Sequence, residues 1–154
     1  MAQLTADVSR KYRIAPDLRS EMPVKGATTI YGGSAVGDDA TGLARQLVAA
    51  DPFRGFAVAK AANVADPNKP GFTINGIALG ADQAINVGLR IEGIIEVAAI
   101  TGASGIGDID KDVYMSDGNT FTLTSTSNTR IGRTLYYLNG VFGIYFKASA
   151  AHSA

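Results

Sequence analysis

The chain has no cysteine, no tryptophan, a single histidine and no excess of either charge. Without cysteine there is neither a disulfide framework nor a thiolate metal site. His152 stands near the end of the sequence, and one histidine cannot assemble a zinc site or a histidine-based triad within one chain. Fourteen basic residues against fourteen acidic ones argue against wholesale binding to nucleic acid or an anionic membrane. No run reaches the roughly 18 apolar residues of a membrane-spanning helix. The opening "MAQLTADVSRKYRIAPDLRSEM" lacks the apolar core of a signal peptide, so secretion by the usual route is not expected.

What is present is a folded, neutral chain: 154 residues, 46% apolar and 18% charged, enough for one domain with a real core but not for two comfortable ones. Residues 1–25 are basic and aperiodic, and Pro16 and Pro23 interrupt any helix. They read as an extended arm ordered by what it touches. From Gly26 short strands follow. "ATTIYGG" ends on a glycine pair, and "FRGFAVA" carries Phe53 and Phe56. "GLARQLVAA" is compatible with helix or strand, and its position between turn signals favours strand. Residues 63–71, with two prolines and one glycine, read as a loop.

The clearest period lies at 85–97. Ile85, Val87, Leu89, Ile91, Ile95 and Val97 alternate with Asn86, Gly88, Arg90, Glu92 and Glu96, which is a half-buried strand. Gly93 is expected to mark a bend or bulge. Further on, "DVYMS" leads into a turn at Asp117–Asn119, where Gly118 is expected to supply a positive φ. "TLYYL", Asn139-Gly140 and "VFGIYF" make the strongest hairpin, because Asn-Gly suits a type I′ turn. Many short strands with short connections predict an all-β fold, a small antiparallel β-barrel or sandwich. The domain is expected over 26–148, with a flexible tail at 149–154.

"TGASGIG", residues 101–107, resembles a dinucleotide-binding turn, but "DIDKDVYMSDGNTFTLT" follows with a turn and a strand where a helix is needed. It reads as a loop, and no cofactor is expected. Asp108, Asp110 and Asp112 alternate as in a calcium loop, but Val113 and Asn119 stand where that pattern wants glycine and glutamate. No metal site is expected. Glu92 and Glu96 share a strand face about 13 Å apart, too far for a retaining glycosidase pair. The chain therefore reads as a non-enzyme. Tyr136, Tyr137, Phe142, Tyr145 and Phe146 flank the Asn-Gly turn. The first four are candidates for a subunit interface, core packing being the alternative. Aromatic strands also suit single-stranded nucleic acid, which zero net charge disfavours.

"DVYMSDGNTFTLTSTSNTRIGRTLYYLNG…VFGIYF" resembles the closing segment of the decoration, or cement, proteins of tailed-phage capsids. The likeness rests on Val113 and Tyr114, Asp117 and Gly118, Thr120 to Thr124, and Ile131 to Arg133. Upstream it continues through Gly26, Ala27, Tyr31 and Gly33, then Gly42, Ala44, Arg45, Phe53, Gly55, Phe56 and Ala57. It covers roughly Val24 to Ala148. "GASGIGDIDKD" is richer in glycine and aspartate than the family's counterpart, and the arm is longer.

The resemblance implies a β-tulip-like fold and a structural virion protein, made in the host cytoplasm, on the outer surface of the matured head. Its partners would be the major capsid protein and further copies of itself, a homotrimer or a homodimer. It would clamp capsomers against the pressure of packaged DNA. Arg10, Lys11, Tyr12, Arg13 and Arg19 are then the expected capsid-binding residues of the arm. The alternative is a carbohydrate- or ligand-binding β-module, in which exposed tyrosines stack on sugars.

Overall fold

The computed structural model describes residues 3–148, with the backbone alone for 13–18; the tail at 149–154, His152 included, lies outside the described residues. The regular structure of the described chain is all β-strand except for one short 3-10 turn, the rest being turns and loops. The strands are β1 Lys11–Pro23, β2 Thr28–Ile30, β3 Ala35–Asp38, β4 Ala44–Gln46, β5 Phe53–Ala57, β6 Ala61–Asn63, β7 Thr73–Ile74, β8 Ile77–Ala78 and β9 Asn86–Val97. After the 3-10 turn Ile106–Asp108 come β10 Asp112–Met115, β11 Phe121–Thr122, β12 Thr129–Leu138 and β13 Val141–Lys147. Nine of them form one antiparallel sheet, ordered β11-β10-β12-β13-β9-β5-β3-β4 with β1 also on β9. The sheet curls into a half-barrel, as the expected all-β barrel or sandwich requires.

β9 is the spine. β1 runs along one of its edges from Asn86 to Glu96, and β13 and then β5 share the other. Its apolar row begins in one core and ends in another. Val87 and Leu89 pack with Met22, Val24, Ile30, Val36 and Ala57. Ile95 and Val97 pack with Phe53, Phe56, Phe142, Ile144 and Phe146. Ile91 touches both clusters. β3 and β5 lie between the clusters, since neighbouring residues point to opposite faces. Ala35 and Phe56 belong to one, Val36 and Ala57 to the other.

Three sequence expectations need correction here. Residues 11–23 are not an arm leaving the domain before Gly26 but a strand of the main sheet, and Met22 and Val24 are core residues. Their period was hidden because the register slips between Arg13 and Leu18, and again between Leu18 and Arg19. That irregularity faces Gly93, so the bulge belongs to β1 and not to β9. An added Cβ at Gly93 would stand 3.5 Å from the Phe146 ring, an ordinary contact, so the space there does not demand glycine. Gly118 adopts no positive φ. A side chain there would meet Gln3 Oε1 at 2.5 Å and Ser34 Oγ at 2.6 Å, so what it provides is space.

Other expectations hold. Asn139 and Gly140 have φ of 52° and 80°, the pair a type I′ hairpin needs. "GLARQLVAA" contributes β4, and the glycine-rich stretch is a loop. Asn75-Gly76 closes a second, smaller hairpin, β7–β8, by the same two positive φ values.

Candidate interaction surface

The outward face of the sheet brings together residues from four strands. In register, Lys11 on β1 faces Glu96 on β9, Glu96 faces Gly143 on β13, and Gly143 faces Tyr136 on β12. The Tyr136 ring lies across Gly143, where an added Cβ would come within 2.2 Å of it. Its hydroxyl thereby donates to Glu96 Oε2 at 2.6 Å, and Lys11 Nζ stands 3.3 Å from Oε1. Glu96 is only 8% exposed, so these partners offset the cost of burying its charge. One row on, the Tyr145 hydroxyl donates to Glu92 Oε2. That hydrogen bond, with burial and the carboxylate's charge, pushes the Tyr145 phenol up to about 12. Glu92 and Glu96 thus each have a tyrosine of their own.

The four aromatic residues expected at an interface divide between two faces. Tyr136 and Tyr145 are half-buried on the outer face. Tyr137 and Phe142, with ring centroids 4.7 Å apart, belong to the inner side. Phe142 is 4% exposed and is core, which corrects its assignment to a surface. Alternation along a strand makes this split unavoidable for adjacent tyrosines.

The residues expected to grip a capsid are also tied down. Arg10 donates from Nε to the Gly33 carbonyl at 2.9 Å and from Nη2 to Asn119 Oδ1 at 2.7 Å. Its guanidinium stands over the Phe121 ring, and burial lowers its pKa. Tyr12 packs edge-on against Phe56 and Phe146, with the Arg90 guanidinium over its other side at 4.4 Å. Both are anchors of β1 and not parts of a free arm, because leaving their aromatic and carbonyl partners would uncover the first core. Lys11 and Arg19 are exposed. The Arg13 side chain lies outside the described residues.

The three aspartates that alternate near the glycine-rich loop pair with basic side chains, Asp110 and Asp112 sharing Arg133. The Asp108 carboxylate accepts the backbone N–H of Ser104 at 2.7 Å and of Gly105 at 3.2 Å, and pairs with Lys111 at 3.0 Å. The Ser104 N–H, then Lys111 and the Gly105 N–H, bring its pKa down to about 2. Asp110 pairs with Arg133, and Asp112 with Arg130 and Arg133. Elsewhere Arg54 pairs with Asp38 and Arg45 with Asp51. Burial pushes the Asp38 carboxyl up, but Arg54 and the Gly42 and Ala40 N–H groups outweigh it, and the pKa falls.

Sequence reasoning missed two clamps. Asn63, expected in a loop, is fully buried at the end of β6. Its Nδ2 donates to the carbonyls of Val24, Lys25 and Ala81, and its Oδ1 accepts the Gly80 N–H. Gln3 reaches across the domain, donating to the Leu47 carbonyl and accepting the Gly118 N–H, while Gln46 both donates to and accepts from the Leu4 backbone. A lone amide in a polar stretch carries no periodic signal, so neither was legible. No protein-family model matches the sequence, and no curated protein shows significant similarity to it.

Proposed function

We propose that the chain is a structural virion protein that binds the outer surface of a matured phage head and stiffens it as a clip between capsomers. The observation that carries this reading is where the residues of the resemblance fall. Phe53 and Phe56 fill the first core, and Gly55 between them has a φ of 130° and approaches the Arg90 carbonyl too closely for any side chain. Gly132, centre of Ile131-Gly132-Arg133, lies against the Tyr145 carbonyl, 1.8 Å from where a Cβ would be. Asp117 caps its turn by accepting the N–H of Asn119 and Thr120. Motifs that are individually modest therefore serve as contact positions of one sheet, which supports reading their order along the chain as that of one family. A neutral, densely cross-linked β-domain also suits a part whose work is mechanical.

Of the residues expected to grip, Lys11 and Arg19 are exposed along β1, Lys11 while paired with Glu96, whereas Arg10 and Tyr12 are engaged within the domain. Removing residues 1–25 would not test this, because Met22 and Val24 would leave the second core with them. The test is co-sedimentation of the whole chain with expanded shells of the virus that encodes it, beside the Lys11→Gln, Arg19→Glu double variant, which sets no like charge against Glu96. Saturable binding by the former and weaker binding by the latter is expected. A well-folded chain that leaves every shell bare would overturn the reading and return the ligand-binding module to the front.

A further inference from the structure

Two asparagines of this chain are followed by glycine, Asn75 and Asn139. That pairing carries its own chemistry. The main-chain nitrogen of the following residue can attack the asparagine side-chain carbonyl carbon, and glycine, lacking a Cβ, hinders that nitrogen least. The new nitrogen–carbon bond closes a five-membered succinimide, the nitrogen gives up its proton, and ammonia leaves. Water then opens the ring at one of its two carbonyls, which yields aspartate or isoaspartate. Water is the only co-reactant.

The two turns share a conformation but not a support. Asn75 and Gly76 have φ of 52° and 81°, Asn139 and Gly140 of 52° and 80°, and all four are exposed. Ring closure needs rotation about the asparagine Cα–C bond, out of the turn, so it proceeds only while the hairpin is open. The Asn139 turn joins β12 and β13, which pair from Gly132↔Phe146 to Leu138↔Val141 and lie inside the sheet between β10 and β9. Opening it would part the Tyr137 and Phe142 rings and uncover the first core. The Asn75 turn joins β7 and β8, two residues each, which pair only with each other. Such a hairpin is marginal by itself, and no side chain of residues 73–78 belongs to either core cluster. Its base is fastened separately, the Leu79 N–H donating to the Phe72 carbonyl and the Gly80 N–H to Asn63 Oδ1, so its opening stays local.

Competing positions are held back. Asp117-Gly118 could close the same ring with loss of water, but the Gly118 N–H donates to Gln3 Oε1 at 2.7 Å and the Asp117 carboxylate accepts the N–H of Asn119 and Thr120. The buried Asn63 amide is engaged at both ends, and Val64 follows it. We infer that Asn75 is a site of spontaneous modification, converting through a succinimide with Gly76 to aspartate and isoaspartate ahead of every other asparagine in the chain. The conversion adds a carboxylate to a chain whose acidic and basic residues are equal in number. Isoaspartate also inserts a main-chain carbon, which puts the Ile74–Ile77 pair out of register. The site is independent of what the chain binds.

Peptide mapping by mass spectrometry, over a time course of the whole chain in mildly alkaline buffer, tests this. The peptide holding Asn75 should gain acid and isoaspartate on the order of tenfold faster than the one holding Asn139, because the longer hairpin is open a smaller fraction of the time. In denaturant both turns are open, and the two rates should converge. Gly76→Ala, measured in denaturant so that its fold does not matter, should slow conversion at Asn75 and leave Asn139 unchanged. Equal rates in the folded chain, or Asn139 ahead, would overturn the assignment. So would a difference that persists in denaturant, which would place its cause in the flanking residues. Aspartate appearing without isoaspartate would exclude the succinimide and overturn it as well.

Discussion

The two hydrophobic clusters share one strand yet are built from different materials. The first contains five of the six phenylalanines and lies beneath the C-terminal hairpin. Its rings meet mostly edge to face, Phe56 and Phe146 with centroids 4.9 Å apart. The second has no aromatic ring. It is packed from Met22, Val24, Ile30, Val36, Val87, Leu89 and three alanines, and its closure depends on β1 and on the buried Asn63 amide. Both clusters draw on seven strands, the first on β3, β5 and β9 to β13 and the second on β1 to β6 and β9, so what differs is the side chains: large rings bury more area per residue, and small ones depend on a closer approach of the backbones. Ile91 touches both, so the two should unfold as one.

The largest test of that comparison removes a ring. Phe146→Ala should cost about 4 kcal/mol, and Ile30→Ala in the smaller cluster about 3 kcal/mol. Denaturant melts followed by tyrosine fluorescence and by far-ultraviolet dichroism should give one coincident transition in both variants. Separate midpoints would show that the clusters are independent.

A smaller effect is expected on the outward face of the sheet. Tyr136→Phe takes away a hydrogen bond to the buried Glu96 carboxylate and should cost about 2 kcal/mol. If its stability matched that of the wild type, Lys11 alone would suffice to hold Glu96.

Acid should reach the loop beside the first cluster. Because the pKa of Asp108 in the folded chain, about 2, lies below the ordinary carboxylate value, its contribution is complete above about pH 4 and is lost as pH falls toward 2. Asp108→Asn should flatten that part of the pH–stability curve and speed amide exchange at Ser104 and Gly105. An unaltered curve would mean that other carboxylates, such as Asp38, dominate acid unfolding.

The smallest expected change is spectroscopic. Tyr145 should ionise near pH 12, because its neutral form is held by Glu92. That contribution is complete below the ordinary tyrosine pKa of 10 and disappears as pH rises through 12. Phenolate absorbance of Tyr145→Phe should lose a phase near pH 12.

Legibility followed the same division. The aromatic cluster sits on strands with strong local signals, the row from Val87 to Val97 and the Asn139-Gly140 turn, so its strands were readable. Less of the smaller cluster was, because Met22 and Val24 lie after a register slip and on either side of Pro23, and that proline with Pro16 looks like the feature of a loose arm. The candidate surface was half readable. Tyr136, Tyr137, Phe142 and Tyr145 were named together as interface candidates, and of these Tyr136 and Tyr145 lie on the outer face while Tyr137 and Phe142 point inward. Leu135 faces water only because β12 bulges, which no periodicity announces.

By itself the sequence determined the fold class, the C-terminal hairpin and the absence of cysteine chemistry, since alternation, turn residues and composition are local properties. Only the tertiary structure decided that residues 11–23 join the sheet and that β9 serves two cores. It also turned Gly118 from a turn residue into a space for Gln3. These depend on which distant segments meet, and strand pairing over such separations is set by packing of the whole chain and not by any stretch of it.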